Sequence, residues 1–237
     1  MDRLPNEILF IVFSFLDAID LKSLSDVNKR LNQLAWNYLT KRKKLVICSK
    51  RMFGRKGKRH SNNILNYFEE KSELRCSFFE AVDCFKAYTP NISSLAIVKT
   101  NNFNRDQLYL VAKHLPNLCT LWLEEEKIND DSLINFFLHC GKLNCLILSA
   151  PKVSLNCFEF MPSLQEFQFN NTEDQVPCVE DIQYFSSLFK SLESFGFNIY
   201  ESGFENVITK FEKLQTLRIN NNYMRNSKMW VSEEDVD

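Results

Sequence analysis

The sequence predicts an α/β fold in which a three-helix module precedes a curved solenoid of repeated strand–helix units. Two observations support this prediction. Three short stretches near the N-terminus have apolar residues at helical spacing, and a short apolar phrase recurs six times in the second half of the chain. These patterns divide the chain into the helical module at 1–40, a basic connector with a degenerate opening repeat at 41–90, the repeats at 91–222 and an acidic tail at 223–237.

The first helix of the module is apolar on almost every side. Pro5 suits the first turn of a helix, and residues 8–16 are nearly all apolar. Asp20 can cap a second helix, whose apolar residues are Leu21, Leu24 and Val27. The third helix has an apolar stripe formed by Leu31, Leu34, Ala35, Tyr38 and Leu39.

Three such helices cannot bury all of this apolar surface against one another, because a domain of about forty residues is marginal on its own. The surplus surface needs a partner. Physical reasoning leaves two possibilities open: the module caps the end of the repeats, or it binds a second protein.

These residues resemble the F-box motif in both composition and spacing, over the segment LPNEILFIVFSFLDAIDLKSLSDVNKRLNQLAWNYL. The positions that agree with the family pattern are Leu4, Pro5, Glu7, Ile8, Leu9, Val12, Phe13, Leu16, Asp20, Leu21, Leu24, Val27, Leu34 and Ala35. The chain departs from the pattern at Leu31, where the family often has tryptophan.

The resemblance implies that the module docks on a Skp-family adaptor, which in this family leads to the cullin and RING subunits of a ubiquitin ligase. The implied adaptor contacts are Leu4, Pro5, Ile8, Leu9, Phe13, Leu16, Leu21, Leu24 and Val27. The sequence does not indicate which of them face the adaptor and which form the core of the module.

The repeated phrase reads Leu-x-x-Leu-x-Leu, with Phe or Ile allowed, and its first positions are 26, 25, 21, 28 and 22 residues apart. The copies are Ile92/Leu95/Ile97, Leu118/Leu121/Leu123, Leu143/Leu146/Leu148, Leu164/Phe167/Phe169, Leu192/Phe195/Phe197 and Leu214/Leu217/Ile219. Leucine-rich repeats have periods of about 20–29 residues, with parallel strands on the concave side and helices on the convex side. The alternative is an ordinary α/β domain with parallel strands, which six regular copies disfavour.

Alternation along each strand places the leucines of the phrase in the core and the intervening residues on the exposed concave face. Trp122 and Ile147 would be neighbours there, and an exposed tryptophan beside an exposed isoleucine favours a binding surface. The residues predicted on this basis to bind a target protein are Trp122, Ile147, Ala96, Glu124, Gln168 and Arg218. Alternatively, the segment 61–90 folds over this face and covers it.

Charge is distributed unevenly, although the net charge is only −1. Residues 41–60 contain ten Lys or Arg and no acid, so the rest of the chain has 19 basic and 30 acidic side chains, a net charge of −11. The basic segment is a solvated connector, a nuclear-import patch or a surface that attracts acidic or phosphorylated ligands. Its only aromatic residue is Phe53, which argues against nucleic-acid binding by base stacking.

The sequence contains no motif for catalysis or cofactor binding. His139, Cys140 and Cys145 lack the paired spacing of a zinc site, and no phosphate-binding, dinucleotide-binding or serine-hydrolase motif occurs. We therefore expect no metal, no cofactor and no catalytic residue. No apolar stretch reaches 18 residues, so we also expect no membrane span or signal sequence, a cytoplasmic or nuclear location, and reduced cysteines.

Together with the resemblance, these observations indicate a non-catalytic substrate-recognition subunit of an SCF-type (Skp–cullin–F-box) ubiquitin ligase. The F-box would bind the adaptor and the repeats would bind a target protein. The alternative is a scaffold or interaction protein that uses the F-box or the repeats without ubiquitin transfer.

Overall fold

A computed structural model describes residues 4–16, 18–41, 43–48, 73–76, 91–98, 100, 103–150, 152–161, 163–170, 177–198 and 204–220. Most of the predicted basic connector and degenerate opening repeat, and the whole of the predicted acidic tail, lie outside these residues.

The three predicted N-terminal helices are present. They are α1 (Asn6–Phe13), α2 (Ala18–Ser25) and α3 (Lys29–Thr40). Asn28 caps α3, because its Oδ1 accepts a hydrogen bond from the backbone N–H of Leu31 at 2.8 Å. The expectation that Asp20 caps α2 is wrong: α2 begins two residues earlier, and the Asp20 carboxylate lies in its first turn, where it still suits the positive end of the helix dipole.

Helix α3 holds the module together. The Phe13 ring on α1 meets the Tyr38 ring on α3 edge to face, with centroids 5.7 Å apart, and Phe10 stacks on the same tyrosine at 6.0 Å. At the other end of α3, the Arg30 guanidinium donates to the Leu4 carbonyl at 2.6 Å. These contacts fix both ends of α1 against α3.

The eight described strands form one parallel sheet. They are β1 (Lys44–Cys48), β2 (Glu73–Cys76), β3 (Ser94–Val98), β4 (Thr120–Glu124), β5 (Cys145–Ser149), β6 (Glu166–Phe169), β7 (Ser194–Asn198) and β8 (Thr216–Asn220). Their spatial order is β2-β1-β3-β4-β5-β6-β7-β8. From β3 onward, each strand therefore pairs with the next one along the chain.

Strand β2 departs from this sequential order. Strand β1 pairs directly with β3, and β2 lies on the other side of β1. The four residues of β2 read ELRC and lack the repeated phrase, which is why the sequence analysis did not predict this strand.

The second and third apolar positions of each phrase stack across the sheet in register. One row contains Leu95, Leu121, Leu146, Phe167, Phe195 and Leu217, and the next contains Ile97, Leu123, Leu148, Phe169, Phe197 and Ile219. We call the side of the sheet that carries these rows the helix face and the opposite side the second face. The predicted register of the phrase is thus the register of the strands.

Helical segments connect the strands from β3 onward and cover the helix face. They are α4 (Arg105–His114), α5 (Asp130–Phe137), a 3-10 helix (Leu155–Phe160), α6 (Val179–Leu188) and α7 (Glu205–Ile208). The 3-10 helix lies in the shortest of the predicted intervals, 21 residues, where a full α-helix has least room.

One apolar core runs from the N-terminal module through the sheet. Phenylalanine dominates the C-terminal half of this core. For example, the Phe167 and Phe185 rings are 5.3 Å apart and the Phe195 and Phe197 rings 4.7 Å apart. A hydrogen bond also joins the module to the segment just before β3, since the Asn91 Nδ2 group donates to the carbonyl of Thr40, the last residue of α3, at 2.6 Å.

No helix among the described residues is both long and apolar enough to cross a membrane.

Candidate functional site

The N-terminal module exposes a stripe of large apolar side chains along α1 and the turn after it. Leu4, Ile8, Ile11 and Phe15 follow helical spacing and lie on one side of the helix, and Phe15 is 83% exposed. Val27, in the turn between α2 and α3, is 65% exposed. Arg30 brings that turn close to the start of α1 through its hydrogen bond to Leu4.

We call this surface the apolar docking surface and define it as Leu4, Pro5, Ile8, Ile11, Phe15 and Val27, all of which are exposed. An exposed apolar patch of this kind on a small domain marks a site of protein contact.

The adaptor contacts implied by the resemblance fall into three groups. Four are exposed: Leu4, Pro5, Ile8 and Val27. Two are half-buried, Leu16 and Leu24, and three are fully buried, Leu9, Phe13 and Leu21. The last three side chains are packed in the module's own core, so their contact with an adaptor stays a prediction that requires them to become accessible.

Ile11 and Phe15 are not among the predicted adaptor contacts, although they are among the most exposed apolar residues of the module. Their spacing from Ile8 would have placed them on the same side of the helix. However, α1 is apolar on its other sides too, so no boundary between core and surface was visible in the sequence.

The second face of the sheet is buried over its N-terminal strands. A cluster formed by Val46, Ala96, Val98, Trp122 and Ile147 packs there, separate from the main core, and Trp122 is only 7% exposed. The expected exposure of Trp122, Ile147 and Ala96 is therefore wrong. Alternation along a strand correctly places these side chains opposite the helices, but it does not determine whether that face is covered.

The C-terminal strands present a different second face. Across β6, β7 and β8, the position that Trp122 and Ile147 occupy in β4 and β5 is taken by Gln168, Gly196 and Arg218. Gln168 is half-buried and Arg218 exposed, and the remaining predicted target residue, Glu124, is half-buried at the end of β4. Three of the six predicted target residues are therefore accessible, and two of those lie at the C-terminal end of the face.

An ion pair crosses this end of the sheet. The Arg218 Nη1 atom donates to Glu166 Oε1 at 2.7 Å, passing over strand β7, which lies between the two residues. Gly196 on β7 has no side chain in the way, and a Cβ at this position would lie 3.0 Å from Gln168 Cγ. We call the group of Glu166, Gln168, Ser194, Thr216 and Arg218 the polar end of the second face.

A buried carboxylate that the sequence analysis overlooked lies just after β4. Glu125 is 6% exposed, and its Oε1 accepts a hydrogen bond from the backbone N–H of Thr100. Burial raises the pKa of this carboxyl from 4.5 to about 7, and repulsion from Glu124 and Glu126 adds to the rise, while the Thr100 hydrogen bond opposes it. Within the run of three glutamates, nothing in the sequence distinguishes the buried one.

His139 and Cys140, which the sequence placed near each other, make contacts within the fold, as does the thiol of Cys157. His139 donates from Nδ1 to the Asn135 carbonyl at 2.8 Å, as fits a residue at a helix end, and its ring meets Tyr109 edge to face. Burial raises the pKa of the Cys140 thiol to about 12 and also raises the pKa of the Cys157 thiol, so both thiols stay protonated at neutral pH. In the described part of the chain, no three acidic, His or Cys side chains are grouped to hold a metal ion.

Comparison with known proteins assigns the N-terminal module to a class. Residues 1–45 match the family model of F-box-like domains, so the chain carries an F-box-like domain at these residues. No curated protein sequence matches the chain. Among solved structures, the chain is similar to one in the crystal structure of the Rad7 and Elc1 complex in yeast, with 19% identity and a TM-score of 0.34. The match covers 58% of this chain and 31% of that one.

Proposed function

We propose that this protein is the substrate-recognition subunit of an SCF-type ubiquitin ligase, in which the F-box-like domain binds a Skp-family adaptor and the repeats hold a target protein. The observation that carries the proposal is the apolar docking surface, which lies within the residues that match F-box-like domains. An F-box-like domain whose exposed side is apolar needs a protein partner to cover it.

The division of the module into core and surface supports this role. Leu9, Phe13 and Leu21 hold the three helices together, which leaves the stripe from Leu4 to Phe15 available to an adaptor. Burying apolar surface contributes about 25 cal/mol of free energy per Å², so covering this stripe would contribute substantially to binding.

We propose that strands β3–β8 and their connecting helical segments form a leucine-rich-repeat solenoid. Six copies of the phrase in register, strands in sequential order and helical segments on one face all fit that architecture. The face away from the helices and the loops at the strand ends are then the surfaces that can hold a target.

The proposed role requires no chemistry from this chain. Cullin and RING subunits would reach the protein through the adaptor, and ubiquitin transfer would follow from the high local concentration of the held target near a ubiquitin-loaded enzyme. We propose accordingly that the protein is not itself an enzyme and acts in the cytoplasm or the nucleus.

Reconstitution tests the proposal. The full chain is co-expressed with a Skp-family adaptor, and the complex is then mixed with cullin and RING subunits. We expect a stable complex that carries all four proteins. In a variant with both Ile8→Asp and Phe15→Asp, adaptor binding should be lost, whereas Phe160→Asp, an equally drastic change at an exposed site on the 3-10 helix, should leave it intact. Absence of binding between the unaltered chain and the adaptor would refute the proposal.

The second candidate function is a scaffold that binds the adaptor or a target without ubiquitin transfer. It is favoured over the first if the adaptor binds but the cullin and RING subunits do not join the complex.

A further inference from the structure

The second face of the sheet has two chemically different ends. Over β1, β3, β4 and β5 it is apolar and buried, with Ile147 only 1% exposed. Over β6, β7 and β8 it is polar, and it includes the exposed Arg218 and Thr216. A protein that approaches this face therefore meets polar groups first, and these groups determine which chemistry it must bring.

At the polar end, the acceptor atoms of Glu166 have partners, whereas Arg218 has donor groups left over. Both oxygens of Glu166 are occupied, since Oε1 accepts from Arg218 and Oε2 lies 3.4 Å from Cys145 Sγ. Arg218 uses Nη1 for this pair, and its side chain is 49% exposed. Its Nε and Nη2 groups donate to no residue in the described part of the chain. Both oxygens of the carboxylate thus have partners, while two nitrogens of the half-exposed guanidinium have none among the described residues.

The neighbouring groups leave room above Arg218 and add hydroxyls. Ser194 and Thr216 are direct partners in the β7–β8 register, one row from Arg218, and adjacent parallel strands are about 4.8 Å apart. Gly196, which lies beside Arg218 on β7, has no side chain that would separate Arg218 from these two hydroxyls. A small planar group can therefore reach the guanidinium and the hydroxyls together.

The pair with Glu166 also orients the guanidinium. A free arginine loses side-chain entropy when it binds a ligand, but one nitrogen of Arg218 is already held at 2.7 Å. An arginine guanidinium matches the two oxygens of a carboxylate geometrically, and covering it with an apolar group would leave its donors unpaired. Charge complementarity thus favours an acidic side chain over an apolar or a basic one.

We propose that the polar end of the second face binds an Asp or Glu side chain from the protein held by the repeats, with Arg218 as its principal contact. This inference rests on the proposed function, because it assumes that the repeats hold a target. It names the chemistry of that target at one contact: an accessible polypeptide segment with a carboxylate side chain.

The test uses the full chain in complex with its Skp-family adaptor and a phage-displayed library of random linear peptides as the probe. We expect the selected peptides to share an Asp or Glu at a constant position. For a selected peptide, replacing its acidic residue by the corresponding amide should weaken binding roughly 10–100-fold, which is the worth of a charge-assisted hydrogen bond.

Matched variants locate the contact. Arg218→Gln should weaken binding of the acidic peptide by the same factor and should make the acid-to-amide change in the peptide nearly neutral. Lys213→Gln removes one positive charge from the exposed turn before β8 and should leave binding unchanged. Arg218→Lys keeps the positive charge but lacks the planar guanidinium, so it should bind the acidic peptide with intermediate affinity. This variant replaces Arg218→Gln in the test if the latter folds poorly.

Selection of peptides without a conserved acid, or no selection at all, would overturn the inference, as would unchanged affinity in both Arg218 variants. Adaptor binding is measured separately on the same complex. If the proposed function is wrong, the chain should fail to bind the adaptor. If only this inference is wrong, adaptor binding should remain intact while the peptide results fail.

Discussion

Arg218 and Glu166 are 52 residues apart in the chain, yet the guanidinium of one meets the carboxylate of the other across strand β7. The residue of β7 that lies beside Arg218 in the register is Gly196. With no side chain at that position, the long arginine side chain can cross the strand. The pair therefore links the edge strand β8 to β6 without direct hydrogen bonds between their backbones.

Replacing Gly196 by valine should crowd this part of the sheet. The new Cβ would lie 3.0 Å from Gln168 Cγ, and Arg218 is the neighbour of this position on β8. We expect a loss of about 1–3 kcal/mol in the free energy of unfolding, measured by urea denaturation. Gly141→Ala is the control, because a Cβ there meets nothing within 4 Å. Equal stability of the two variants would mean that Gln168 and Arg218 move aside at no cost.

The same phrase position should matter differently in the middle and at the edge of the sheet. Leu121 is fully buried on β4, whereas Leu217, in the same row on β8, is 37% exposed. Leu121→Ala should cost roughly 2–5 kcal/mol, because it removes buried methyl groups and leaves a cavity. Leu217→Ala should cost clearly less in the same denaturation experiment. A loss at Leu121 as small as that at Leu217 would contradict the burial described for β4.

Two phenylalanines in the N-terminal module separate binding from stability. Phe15→Ala should weaken adaptor binding, because the ring is exposed on the docking surface, and should leave the melting temperature unchanged. Phe13→Ala should lower the unfolding free energy by about 3–5 kcal/mol, because the ring is fully buried against α3. Calorimetric titration with the adaptor and thermal melting measure the two effects. A stability loss from Phe15→Ala would place that ring in the core.

Trp122→Ala should act mainly on stability. The indole is buried in the cluster on the second face, so its removal should cost about 3–5 kcal/mol of unfolding free energy. Its role in binding a target stays a prediction, and it requires that the indole become accessible. Thr120→Ala is a control on the same strand and face, at a half-buried position. A Trp122→Ala variant as stable as the unaltered chain would show that the cluster contributes nothing to the fold.

Glu125 should make the protein less stable as the pH rises. An ion-paired carboxylate has the opposite effect, because its pKa is lowered by folding. Its pKa is about 7 in the folded state and near 4.5 in the unfolded chain, so between these values the folded state binds more protons. The unfolding free energy should therefore fall as the pH rises from 4.5 to about 7, and this contribution should be level above that range.

Glu125→Gln removes the titrating group but keeps an oxygen that can accept from the Thr100 N–H. Above pH 7 the variant should be more stable than the unaltered chain by roughly 1–3 kcal/mol, and its profile should be flatter. Glu126→Gln, at an exposed neighbouring position, should keep the original slope. Urea denaturation across the pH range measures both, and parallel profiles for Glu125→Gln and the unaltered chain would contradict a raised pKa at Glu125.

The sequence by itself determined the element order of the N-terminal module and the register of the strands from β3 to β8. Helical and strand periodicities are local, so the spacing of Leu31, Leu34 and Leu39, or of Leu121 and Leu123, is enough to assign an element and its buried side. The F-box resemblance likewise depends on local composition and spacing, and the family match covers the same residues.

Only the tertiary structure decided which apolar residues are covered. Leu9 and Phe15 are equally apolar, but α3 packs on one and not on the other. Trp122 and Arg218 occupy equivalent positions on the second face, yet one is buried and the other exposed. Burial depends on elements that are distant in the chain. The local sequence of a strand or helix shows on which side a side chain lies, but not what packs against that side. The outer position of β2 and the pairing of Arg218 with Glu166 have the same non-local origin.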